Sequence, residues 1–102
     1  MPVISTSFDT VTDTNEKTVF ATPCRVLLIH YRNADDVNRV VELKDGQDAE
    51  EPTMTLHMLH RSNGVLPLGD LPDPGILFAK ELFVVADEDA GDVAIDFVLE
   101  VP

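Results

Sequence analysis

The side chains equipped for chemistry are one cysteine, three histidines and a band of carboxylates. Cys24 and His30 are the one nucleophile and base near each other in sequence. Six residues apart on an extended segment, they share a face but stand roughly 20 Å from each other. A thiol and its base must come within hydrogen-bond reach, so the pair does not make a catalytic couple. His57 and His60 sit three apart, a spacing that suits one side of a helix and sends two strand residues to opposite faces. No Cys or Glu at ligand spacing completes a metal set around them. Asp96 and Glu100 share a strand face at roughly 13 Å, too far apart for the paired carboxylates of a glycosidase. Asp87, Glu88, Asp89 and Asp92 surround Gly91 in an oxygen-rich tip, yet the ordered pattern of a calcium loop and its distal Glu are missing. A solvated turn is the plainer account, there and in the second acidic loop from Asp45 to Glu51. With no glycine-rich phosphate loop either, the expectation is no catalytic residue, no metal, no cofactor and no enzyme.

The elements that carry these residues are strands. From Val93 onward Val93, Ile95, Phe97, Leu99 and Val101 fall on every second position, which lays one apolar row against a core; on a helix they would scatter round the circumference. Ile76 to Val85 is rich in β-branched and aromatic residues. With the polar 87–92 segment between them, the two runs predict a long antiparallel hairpin. Cys24 to Tyr31 is apolar throughout: Cys24, Val26, Leu28 and His30 on one face, Leu27, Ile29 and Tyr31 on the other. A strand apolar on both faces needs a second covering layer, so Leu27, Ile29 and Tyr31 are candidates for a contact with another subunit. Pro23 argues that any strand proper begins after it. Asn33-Ala34-Asp35-Asp36 is a turn by composition, and Asp45-Gly46 is another. Val41 and Leu43 alternate with Val40, Glu42 and Lys44, and Met54, Leu56 and Met58 should be core. Ser62 to Pro74 is dense in breakers and reads as an ordered loop pinned by Val65, Leu66, Leu68 and Leu71, or as one brief edge strand. Residues 1–18 form an N-terminal arm or edge strand, in which Ile4, Thr6, Phe8 and Thr10 share a parity, and 19–102 form the domain proper. No segment has the caps, period and length of a helix. The fold class expected is an all-β antiparallel β-sandwich of jelly-roll or Greek-key type, with roughly six to eight strands and no substantial helix.

Size and charge set the remaining bounds. At 102 residues the chain is long enough for one independent core. Seven Lys and Arg stand against nineteen Asp and Glu, a formal charge of −12. Phosphate neutralisation needs clustered cations, so nucleic acid is not an expected partner, and an anionic membrane is disfavoured for the same reason. A single cysteine excludes an internal disulfide. The first residues lack the basic and apolar regions of a secretory signal, which suits synthesis in a cytoplasm.

Several stretches resemble a β-sandwich that recurs among tailed-phage virion proteins. They are Thr18-Val19-Phe20 through Pro23–Ile29, Val41–Gly46, Gly75-Ile76-Leu77-Phe78, Leu82–Val85 and the closing Val93–Glu100. The family pattern near its end is Gly-Ile-x-Phe, a short bend that usually contains glycine, then Leu-x-Val and a last strand; here Lys80-Glu81 fills the bend. The resemblance implies a non-enzymatic structural role in the particle. Small proteins of this kind act as capsid decoration, or cement, proteins, often as homotrimers bound to the major capsid protein on the capsid exterior. Such a trimer would bridge seams that internal DNA pressure pulls apart. Leu27, Ile29 and Tyr31 would then form the subunit contact, and Ile4 and Phe8 on the arm would reach the shell. Removing residues 1–10 should abolish attachment and leave the fold intact. The alternatives are another virion component (head fibre, neck or tail) and a sugar-binding β-sandwich. Five Phe, one Tyr and no Trp are few for the aromatic platform of a sugar site.

Overall fold

The computed structural model describes residues 2–12, 15–69, 74–87 and 90–102. Among them there is no helix, and there are nine strands: β1 (Val3–Asp9), β2 (Glu16–Phe20), β3 (Cys24–Asn33), β4 (Arg39–Asp45), β5 (Met54–Met58), β6 (Ser62–Pro67), β7 (Ile76–Phe78), β8 (Leu82–Ala86) and β9 (Val93–Glu100). They make two antiparallel sheets. A front sheet runs β1-β9-β3-β6, with β7 also on β3, and a back sheet runs β2-β8-β4-β5. All but two of the connections cross from one sheet to the other, so β1 faces β2, β9 faces β8, β3 faces β4 and β6 faces β5. That winding is a jelly-roll sandwich.

The ninth strand arises because β6 and β7 are two halves of one edge strand. Leu28 pairs with Pro67 and Val26 with Ile76, so the edge is interrupted between β6 and β7. Leu68 donates its N–H to the Leu27 carbonyl (2.8 Å), and Gly75 donates to the Leu68 carbonyl (2.9 Å) just before β7. Gly75 has a φ of 81°, and a Cβ there would lie 2.8 Å from the Val26 carbonyl oxygen, so glycine alone fits the re-entry. An edge position also explains how the proline-rich 62–74 stretch holds a strand at all. Its Leu66 and Leu68 pack on the core, Val65 does not, and Leu71 lies outside the described residues.

Opposite this interruption β3 carries a bulge. Against β9, Val26 pairs with Leu99 and Leu28 with Val98, so Leu27 is an extra residue. One extra residue reverses the parity of the rest of the strand. Cys24 and Val26 point inward before it, and Ile29, Tyr31 and Asn33 point inward after it, while Leu28, His30 and Arg32 turn outward.

The core lies between the sheets. Phe8, Val26, Ile29, Phe78, Val93, Ile95, Phe97 and Leu99 meet Val41, Leu43, Leu56, Met58, Leu82 and Val84. Burial of each of the larger side chains contributes about 1.5–3 kcal/mol. The alternation in β9, the pattern in β4 and the burial of Leu56 and Met58 follow the sequence, with Met54 partly buried.

Three expectations need correction. The hairpin does not form: β8 pairs with β2 and β4 whereas β9 pairs with β1 and β3, so the two strands belong to different sheets. A boundary at residue 18 cuts through β2, which precedes Pro23 and pairs with β8. Finally, the truncation expected to spare the fold does not: residues 3–9 take the edge-strand alternative, with seven register positions on β9 and fully buried Phe8 as anchor. Deleting residues 1–10 would therefore remove a core side chain and a sheet edge together.

Candidate functional site

The candidate couples do not assemble. The bulge puts Cys24 in the core and His30 on the outer face, so the two do not share a side of β3. Burial, with a smaller push from the Asp45 charge, raises the Cys24 thiol to about 11, which leaves it protonated and unreactive at neutral pH. His57 is exposed on β5, and His60 lies beyond its end, where both its N–H and its Nδ1 approach Asn38 Oδ1 (2.9 and 3.2 Å). Asp96 and Glu100 share the outer face of β9 at the spacing expected for a strand. No three His, Cys, Asp or Glu converge among the described residues; Glu88 and Asp89 of the acidic tip lie outside them.

The contact residues also redistribute. Ile29 and Phe8 are fully buried in the sandwich. Tyr31 lies inward, with its ring across Gly64, the residue it pairs with on β6; any Cβ on Gly64 would strike the phenol. Ile4 is half-buried against the core. Leu27 is half-buried at the bulge. Of the five residues proposed for contact, none is a free apolar projection, because bulge and edge pairing turned their row inward.

Two knots of polar side chains, both missing from the sequence account, fix the loop ends. At one end Asn33 is fully buried. Its Nδ2 donates toward the carbonyls of Val37 (3.0 Å), Leu59 (3.2 Å) and Met58 (3.3 Å), and its Oδ1 accepts from the Asp35 N–H (3.0 Å). Asp35 then accepts from the N–H groups of Gly91 and Asp92, each at 3.0 Å, and from Arg39 Nε at 2.9 Å. Burial alone would raise its pKa; the Gly91 N–H, the Arg39 guanidinium and the Asp92 N–H outweigh that and hold it below the ordinary value. Asp87 accepts from Val40 N–H (2.9 Å). Three loops are thereby locked to one another. Val37, 46% exposed, and Leu59, 65% exposed, are the residues whose backbone carbonyls this amide binds.

At the opposite end Asp45 accepts from the N–H groups of Lys80 (2.7 Å), Ala79 (3.1 Å) and Glu81 (3.4 Å), and Glu81 accepts from Gln47 N–H (3.0 Å). Those bonds hold the bend at Lys80-Glu81 without a glycine. A depression of about 310 Å³ lies over them, lined by Asp45, Gly46, Gln47, Asp48, Lys80 and Glu81. Burial pushes the Asp45 carboxyl up and the three N–H groups more than reverse it, so the carboxylate is a structural cap.

The outer face of the front sheet is the third feature. β3 presents Arg25, Leu28, His30 and Arg32; β9 presents Glu100, Val98, Asp96 and Ala94 beside them. His30 Nδ1 lies 3.7 Å from Asp96, and Arg32 bonds Asp92 at 3.0 Å. Each arrangement presents surface and order, and none of the three brings a nucleophile to a base among the described residues. No family model, curated protein or solved structure matches this chain.

Proposed function

We propose that this chain is a non-enzymatic structural protein of a tailed-phage particle, in the simplest form a capsid decoration protein on the outer shell. Jelly rolls serve capsids, lectins and cupins alike, so the surface must choose among them. A lectin displays aromatic rings, yet Phe8, Phe78, Phe83 and Phe97 are buried and Phe20 and Tyr31 half-buried. A cupin gathers metal ligands, and the described residues of this sandwich gather none. The net charge of −12 suits an exterior surface that repels its neighbours except where it docks.

The observation that carries the proposal is the loop tip that bears the exposed Val37 and Leu59, whose backbone carbonyls share the Asn33 amide. Two exposed apolar side chains sit on loops already ordered by a buried amide, so docking them costs little further ordering entropy. That tip takes over the shell-contact role from Ile4 and Phe8. The trimer loses its residue argument with Ile29 in the core, and the role does not depend on it.

The test is co-sedimentation of purified protein with phage shells that lack it. Saturable pelleting, lost in a folded Leu59→Asp variant, supports decoration. No binding to shells, with the protein located in the neck, tail or fibres of the particle, would remove the decoration role.

A further inference from the structure

We infer that the outer face of the front sheet pairs with the same face of a second copy, about a two-fold axis lying along the strands between β3 and β9. A rotation about that axis lays β3 of one copy over β9 of the other without shifting the level along the strand. Each outward residue of β3 then meets the residue type that neighbours it in its own sheet. Arg25 meets Glu100, Leu28 meets Val98 and His30 meets Asp96. Basic side chains fill one column and acidic side chains the next, so Arg25 and Glu100 each gain a second opposite neighbour and Asp96 a second imidazole, while Arg32 lies over Ala94 and the Leu28–Val98 row closes an apolar centre. A face whose two columns carry opposite charge is self-complementary, which is the requirement of an isologous interface.

The flanking strands fit the same operation. β6 and β7 of one copy fall over β1 of the other. Val65, 55% exposed, and Pro67 then lie over Ser7 and Ser5. Those small serines floor a groove of about 380 Å³ with Asp96 and Val98, so projecting side chains meet a hollow. Leu77, 49% exposed and level with Arg25, falls over Val3, 57% exposed and level with Glu100. The two exposed apolar corners of the face thus cover each other. The back sheet offers no such match: the same operation between β8 and β4 would lay Glu42 over Val85 and Glu16 over Thr55, bringing no opposite charges together.

The scale of the contact sets its strength. Four strands about 4.8 Å apart and about 26 Å long give a projected face of roughly 500 Å² per copy, or roughly 1,000 Å² for the pair. That is the low end for a specific interface, the size class of weak and transient associations. It stands independently of the particle role proposed above.

Sedimentation velocity of the whole chain at 1–500 µM and two salt concentrations tests it. The mass should rise from 11.2 kDa toward twice that value, and the association should weaken in high salt. Arg25→Glu alone and Glu100→Arg alone should each sediment as a folded monomer, since each sets like charges across the axis. Mixed one to one, the two variants should associate, because the pair restores both contacts between copies. Intramolecular effects of either change do not predict that recovery. A second central variant, Val98→Glu, should be monomeric with an unchanged circular dichroism spectrum. A monomer at every concentration, a salt-independent trimer, or a mixture that stays monomeric would each overturn the inference.

Discussion

Replacing Asn33 with alanine removes the side chain that ties together the loop from 34 to 38 and the turn after β5. Four hydrogen bonds go with it. The Met58 carbonyl is left buried without that donor, at a cost of about 1–3 kcal/mol. Val37 and Leu59 carbonyls and the Asp35 N–H are nearer solvent and recover water, so each loses about 0.5 kcal/mol. The sum is about 3 kcal/mol, against a total near 5–15 kcal/mol for a domain of this size. At the midpoint that corresponds to a fall in Tm of roughly 12–24 °C. Urea denaturation followed by circular dichroism reads it directly. Asn63→Ala, an exposed position on β6, is the control and should stay within about 0.5 kcal/mol. A loss at Asn33 no greater than that at Asn63 would refute the claim that a buried amide orders this end.

Other consequences follow from the same packing. Asp35 and Asp45 both titrate below the ordinary 3.8, so their contribution is complete above that value and is lost as pH falls through the lowered ones. Stability should therefore be flat above about pH 5 and drop below about pH 4, and Asp35→Asn should shrink the drop; an unchanged acid limb in that variant would contradict the assignment. Cys24 should resist a thiol reagent at pH 8 until the fold opens, and stoichiometric labelling of native protein within minutes would show that it is not core. Gly75→Ala should destabilise by about 1–3 kcal/mol, while Gly69→Ala, with its nearest neighbour 3.8 Å away, should be nearly silent in the same melt.

The sequence made some of this legible and hid the rest for identifiable reasons. β9 alternates without a bulge, so Val93, Ile95, Phe97 and Leu99 declare their face, and all four are fully buried. β3 cannot be read the same way. Leu27, Leu28 and Ile29 are apolar in succession, and a run with no alternation carries no parity. Only the register against β9 and the Leu27–Leu68 hydrogen bond reveal where the extra residue sits. That single misplacement moved Ile29 from an expected interface to the core and separated His30 from Cys24. Asn33, Asp35 and Asp45 were recognisable as turn residues. Their partners at 58, 59, 79–81 and 91–92 lie more than twenty positions away, and no local pattern announces a side chain that caps a distant loop. β8 and β9 looked like a hairpin because both are strong strands beside a polar turn, and strand strength does not specify the sheet.

Both contact surfaces depend on which side of β3 faces outward. Equilibrium urea melts of Leu28→Glu and Ile29→Glu, run side by side, test that assignment with adjacent residues. A carboxylate buried at Ile29 costs more than about 4 kcal/mol and should leave the chain unfolded or nearly so. At Leu28, half-buried on the outer face, it should cost about 1 kcal/mol and leave a cooperative fold. A folded Ile29→Glu beside an unfolded Leu28→Glu would put the bulge, the core and both proposed contact surfaces on the wrong side of the strand.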